Sequence, residues 1–137
     1  MKLKKIILIL TVALMTLSCK KDDDGLVHFP FGSFKEVKEA TLPDWLVGKW
    51  QSVNYAHVTE EFKKNIKRDK FLYISISEDR VIMVDIGLYN PSDSNDSFIY
   101  REAIKIAPNT IKYRVGLVRK NSKECGCNDF HTYKKVQ

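Results

Sequence analysis

The chain has 137 residues, of which 44% are hydrophobic and 11% aromatic, a composition that suits one small folded domain and excludes a disordered chain. Its 23 Lys and Arg face 17 Asp and Glu, but Lys2, Lys4 and Lys5 lie in an acid-free leader. Without them the surplus is about three positive charges, too few to point to nucleic acid as a partner.

Residues 1–18 follow the three-part plan of a secretory signal: the basic start, an apolar run from Ile6 to Met15, and small Ser18 before Cys19. The run falls short of the roughly 20 residues of a membrane span, and charges follow at once, which favours cleavage over permanent insertion. The segment ending in Leu17-Ser18-Cys19 resembles a lipobox, at which bacteria acylate a cysteine and cleave just before it. That resemblance implies a membrane anchor through an acyl chain such as palmitate on Cys19. The segment rules alone also admit a plain secretory signal with an unmodified Cys19. Lys20, Lys21, Asp22, Asp23 and Asp24 are similar to the short Lys-then-acidic signal that carries Bacteroidetes lipoproteins to the outer face of the outer membrane. The resemblance implies a cell-surface address, with a periplasm-facing one second. The same run also reads as a solvated tether.

From Gly25 to Pro43, Phe29, Phe31 and Phe34 mix with Pro30, Gly32 and charges without a sustained period, which predicts that 19–43 is a flexible tether whose end packs on the domain. Residues 41–47 predict a short helical turn with Pro43 in its first turn and Gly48 ending it. A first strand is expected over 50–58. The charge-rich stretch 59–70 has Phe62 and Ile66 four apart and predicts a short helix. Residues 71–77 and 80–86 flank Glu78-Asp79 as a hairpin, apolar on both faces and therefore deeply buried. Residues 90–97 form a polar loop.

The clearest alternation is Ile111, Tyr113, Val115 and Leu117, preceded by Phe98, Tyr100, Glu102, Ile104 and Ile106. A two-residue turn at Pro108-Asn109 predicts Ile106 opposite Ile111, Ile104 opposite Tyr113, Glu102 opposite Val115 and Tyr100 opposite Leu117. A last strand is expected over 130–136.

Gly48-Lys49-Trp50 at the start of a strand resembles the opening of lipocalin-like domains, in which Gly-x-Trp begins the first strand and the tryptophan plugs the barrel base. The resemblance implies that 44–137 is a mostly β domain: a small antiparallel up-and-down barrel or half-barrel with one or two short helices. Its candidate ligand cavity would be lined by Trp50, Tyr55, Tyr73, Tyr100, Glu102 and Tyr113. Glu102 would either anchor a polar ligand group or be satisfied by an interior Tyr or Arg, since buried carboxylates need partners.

Cys125, Cys127 and His131 are ligand types for zinc or copper, but Cys-x-Cys with a nearby His is not a familiar zinc spacing. In an oxidising envelope the cysteines can instead pair with each other. No nucleophile elbow, metalloprotease motif, phosphate-binding loop or dinucleotide fingerprint occurs, so neither an enzyme nor a cofactor is expected. Two readings of function follow. One is a membrane-anchored lipoprotein whose barrel binds a small apolar or mixed ligand. The other is an envelope protein or glycan interaction module with a filled core.

Overall fold

The computed structural model describes residues 25–86, 97–119 and 122–136. The leader, Cys19, the segment from Lys20 to Asp24 and most of the 90–97 loop lie outside the described residues.

Ten strands follow one another: β1 (Leu26–Phe29), β2 (Gly32–Thr41), β3 (Gly48–Ser52), β4 (Thr59–Phe62), β5 (Asn65–Ile76), β6 (Arg80–Asp85), β7 (Ser97–Ala107), β8 (Thr110–Arg119), β9 (Cys125–Cys127) and β10 (His131–Val136). They form one antiparallel sheet in the order β1-β2-β5-β6-β7-β8-β10-β3-β4, with β9 on the edge of β8 beyond β10. The sheet is open, and β1 and β4 end its path. It is nevertheless strongly curled. The rings of Phe62 on β4 and Tyr113 on β8 are 5.4 Å apart, although β10 and β3 separate their strands. In a flat sheet, strands spaced by about 4.8 Å would hold β4 and β8 about 14 Å apart.

Curling creates two cores, one on each face. The inner one gathers Leu42, Leu46, Trp50, Phe62, Val81, Met83, Ala103, Ile111, Tyr113 and Tyr133. The outer one gathers Phe29, Phe34, Tyr73, Ile82, Val84, Phe98, Tyr100 and Val118. Val81 and Met83 of β6 face one core while Ile82 and Val84 face the other, the double burial expected of a strand without a polar face. Trp50 is fully buried, its indole N–H donates to the Leu46 carbonyl at 2.8 Å, and the Lys135 ammonium lies 5.6 Å from the ring centre.

Several expectations require correction. The stretch 25–43 is not a tether, because β1 and β2 pair through Phe29↔Gly32 and bury Phe29 and Phe34. Burying such side chains stabilises by roughly 1.5–3 kcal/mol each, and for Phe29 contact with Tyr73 and Phe98 at 5.2 and 5.8 Å ties that burial to distant strands. The domain therefore begins near Leu26 rather than at residue 44.

Residues 59–70 are not helical. Phe62 and Ile66 share the inner core because they lie on β4 and β5, on either side of Lys63-Lys64. Residues 41–47 contain only one turn, closed by the Leu46 N–H to Pro43 carbonyl bond at 3.0 Å, and no helix occurs among the described residues. The first strand of that half stops at Ser52, after which 53–58 form a loop.

The hairpin register is also shifted by one residue. Pro108-Asn109 does turn the chain, with Asn109 at φ 60°, and Ala107 pairs with Thr110. A bulge between Lys105 and Ala107 then places Ala103 opposite Tyr113 and Glu102 opposite Arg114. Since successive side chains alternate faces, this one-residue slip moves Tyr100 and Glu102 to the face opposite Tyr113.

Candidate functional site

The mouth of the curled sheet, between β4 and the first half of β5, holds the most polar part of the inner face. Asp85 ends β6, and Arg101 of β7 stands diagonal to it, opposite Met83. Arg68 comes from β5 at the point where that strand bulges. Val37 pairs with Leu72 and Glu39 with Lys67, so one residue of β2 faces four of β5. Phe71 takes φ 63° there, and its N–H donates to Glu36 Oε1 at 2.6 Å. A bulge of this kind re-aims side chains, here bringing Arg68 over the end of β6.

The Asp85 side chain is 2% exposed, and both of its oxygens are engaged: Arg68 Nε donates to Oδ2 at 3.2 Å and Arg101 Nη1 to Oδ1 at 3.3 Å. A buried carboxylate without such partners would be strongly disfavoured. Across the mouth, Glu60 of β4 accepts the Tyr113 hydroxyl at 3.1 Å. Burial, and then the Glu60 charge, push the Tyr113 phenol far above its usual pKa against the opposing pull of Arg101, so it stays a donor at neutral pH. A cavity of about 200 Å³ lies between these groups, with Phe62, Ile66 and Met83 as its apolar walls.

A second charged cluster occupies the outer face. Glu102 is 1% exposed in its side chain, and Arg114 donates to Oε1 through Nε at 2.9 Å and Nη2 at 2.8 Å. The Tyr100 hydroxyl also donates to Oε1, and Arg80 pairs with Oε2. The Arg114 guanidinium lies 4.3 Å from the Phe130 ring centre. Glu102 is thus held by protein groups, through an arginine pair that the expected register did not bring to it.

The six candidate cavity residues do not share one cavity. Trp50 and Tyr113 belong to the inner core, whereas Tyr73, Tyr100 and Glu102 belong to the outer face. Tyr55 is half-exposed on the 53–58 loop beside the rings of His57 and His131. Cys125 and Cys127 are joined to each other, leaving neither a free thiolate for a metal, and the His131 ring meets Tyr55 edge to face at 5.9 Å. Among the described residues, no group of three or more His, Cys, Asp or Glu is placed to hold a metal ion.

Arg68, Asp85, Arg101 and Glu60 are not singled out by the sequence reading. The signal available for two of them is local: Asp85 ends the otherwise apolar run Val81-Ile82-Met83-Val84, and Arg101 interrupts Phe98-Ile99-Tyr100 and its continuation. No local pattern marks Arg68 or Glu60, which reach the mouth only through the β5 bulge and the curl. No family model matches the chain, and neither does any curated protein or solved structure.

Proposed function

We propose that the chain is an envelope lipoprotein, anchored through lipid on Cys19, whose β domain takes up a small charged molecule in the mouth between β4 and β5. The observation that carries this reading is the buried Asp85 held between Arg68 and Arg101 on the wall of a cavity of about 200 Å³. Concave sites with a few convergent polar groups on apolar walls are where small ligands bind. The polar floor shifts the expected ligand from an apolar one to a charged one. The leader and the lipobox-like segment supply the address, and a tethered domain would meet its ligand at the membrane surface.

Intact mass and membrane fractionation of the wild type and Cys19→Ser test the anchor. Acyl mass on the wild type and release of the variant are expected, and soluble, unacylated wild type would refute it. Native mass spectrometry of protein from its own cells tests the uptake, for which a bound small molecule is expected.

The filled inner core around Trp50 favours a second reading, an envelope interaction module. A protein in fixed stoichiometry in the same spectrum, with an empty mouth, would support that reading instead.

A further inference from the structure

The charged residues that line the mouth fall on two sides: Glu60, Glu61 and Lys63 on β4 and the turn after it, and Arg68, Asp85 and Arg101 on β5, β6 and β7. On one side, two guanidiniums share the single carboxylate of Asp85, so Arg68, Arg101 and Asp85 together retain one positive charge. On the other side, Glu60 is engaged only with the neutral Tyr113 hydroxyl in the described contacts and keeps one negative charge. Register explains why Glu60 faces inward, since it pairs with buried Trp50; its neighbour Glu61 pairs with exposed Lys49, meets its ammonium at 4.0 Å, and also lines the cavity. Lys63, on the turn out of β4, adds a positive charge at the outer lip.

Glu60, Glu61 and Lys63 sum to one negative charge and Arg68, Arg101 and Asp85 to one positive charge, so the mouth is a dipole, and a ligand carrying a single charge would leave one pole uncompensated. The cavity of about 200 Å³ at the charged wall opens to solvent, so it offers room for a small charged ligand without enclosing it.

Accepting the uptake proposed above, we infer that the ligand is a small zwitterion of the α-amino-acid type. Its carboxylate lies toward Arg68 and Arg101, and its ammonium toward Glu60. Arg68 and Arg101 retain N–H groups beyond those donated to Asp85, and paired N–H donors suit a planar carboxylate. Asp85 acts as a positioning residue that holds both guanidiniums on the same wall.

The test is calorimetric titration of the full chain with L-alanine, L-serine and L-threonine, alongside L-alaninamide and N-acetyl-L-alanine. These last two each lack one of the two charges. At least one free amino acid is expected to bind, with either blocked form weaker by about tenfold or more, the scale of a lost charge-assisted contact. Glu60→Gln should weaken the free amino acid but leave N-acetyl-L-alanine unaffected. Arg68→Gln should weaken the free amino acid but not L-alaninamide. Arg68 is the arginine chosen because its side chain is 42% exposed, the more tolerant of the pair.

Equal binding of the blocked and free forms, or no binding of any free amino acid, overturns the inference. If that happens while protein from its own cells carries a ligand of another charge class in the mouth, the uptake reading stands without it. If the protein arrives empty and a cell extract shifts no NMR signal of Arg68, Asp85 or Arg101, both fall.

Discussion

Replacing Glu102 with leucine removes the carboxylate that organises the outer-face cluster, and the structure says how the cost divides. The side chains of Arg80 and Arg114 are 46% and 28% exposed, so both can turn toward water, and each lost pair costs about 0.5–1 kcal/mol. Tyr100 is fully buried, and its hydroxyl loses its acceptor with no route to solvent, which costs about 1–3 kcal/mol. Leucine regains part of this through its own apolar burial, leaving a net loss of about 2–3 kcal/mol. At about 4 °C per kcal/mol for a domain of this size, Tm falls by about 8–12 °C. Glu102→Gln keeps an oxygen for Tyr100 and Arg114 and should lose about 1 kcal/mol.

Urea unfolding provides the assay, with an unchanged m-value as the check that the same transition is being read. The decisive comparison is Tyr100→Phe made in the Glu102→Leu background. Removing the orphaned hydroxyl should recover about 1 kcal/mol or more, whereas Tyr100→Phe alone should destabilise. If the two substitutions are simply additive, the hydroxyl is not what Glu102 satisfies, and the reasoning fails.

Gly116→Ala should lower Tm by several degrees, because the new Cβ would lie 2.6 Å from the Cys127 Cα and 2.9 Å from the Gly126 carbonyl oxygen, so β9 would have to move away from β8. Overpacking of this kind typically costs about 1–3 kcal/mol, and an unchanged melting curve would contradict it. The double variant Cys125→Ser/Cys127→Ser should lose only about 1–2 kcal/mol in urea unfolding, since a link with a sequence separation of 2 closes a very short loop. Alkaline pH should destabilise the fold: burial and then the hydrogen bond to Glu102 push the Tyr100 phenol from 10.0 up to about 12. The folded state then holds its proton more tightly than the unfolded one, so stability is complete below pH 10 and is lost as pH rises toward about 12. Denaturation midpoints at stepped pH should show this fall, with a shallower one in Tyr100→Phe; equal slopes would count against it.

Strand identity was legible wherever the residue pattern was strong and local. Residues 111–117 alternate within a single strand, and 81–84 form an unbroken apolar run; β8 and β6 lie there. The turn at Pro108-Asn109 was legible from its turn-favouring residues, whereas the burial of Trp50 was expected only through the resemblance carried by Gly48-Lys49-Trp50. The charged mouth was not, because its members come from β4, β5, β6 and β7, and no short window contains them together.

By itself, the sequence determined the β class, the double burial of β6, and the expectation of a leader ahead of Cys19, because each rests on the chemistry of consecutive residues. Tertiary structure decided the rest. Phe29 and Phe34 look aperiodic until Tyr73 and Phe98 bury them, so two strands hid in an apparent tether. One bulged residue between Lys105 and Ala107 chose the face of Glu102, giving it Arg114 as a partner instead of the cavity shared with Tyr113. Side chains alternate with period two, so a strand pattern specifies that a residue faces one side without specifying which; a single unpaired residue set by distant packing settles it.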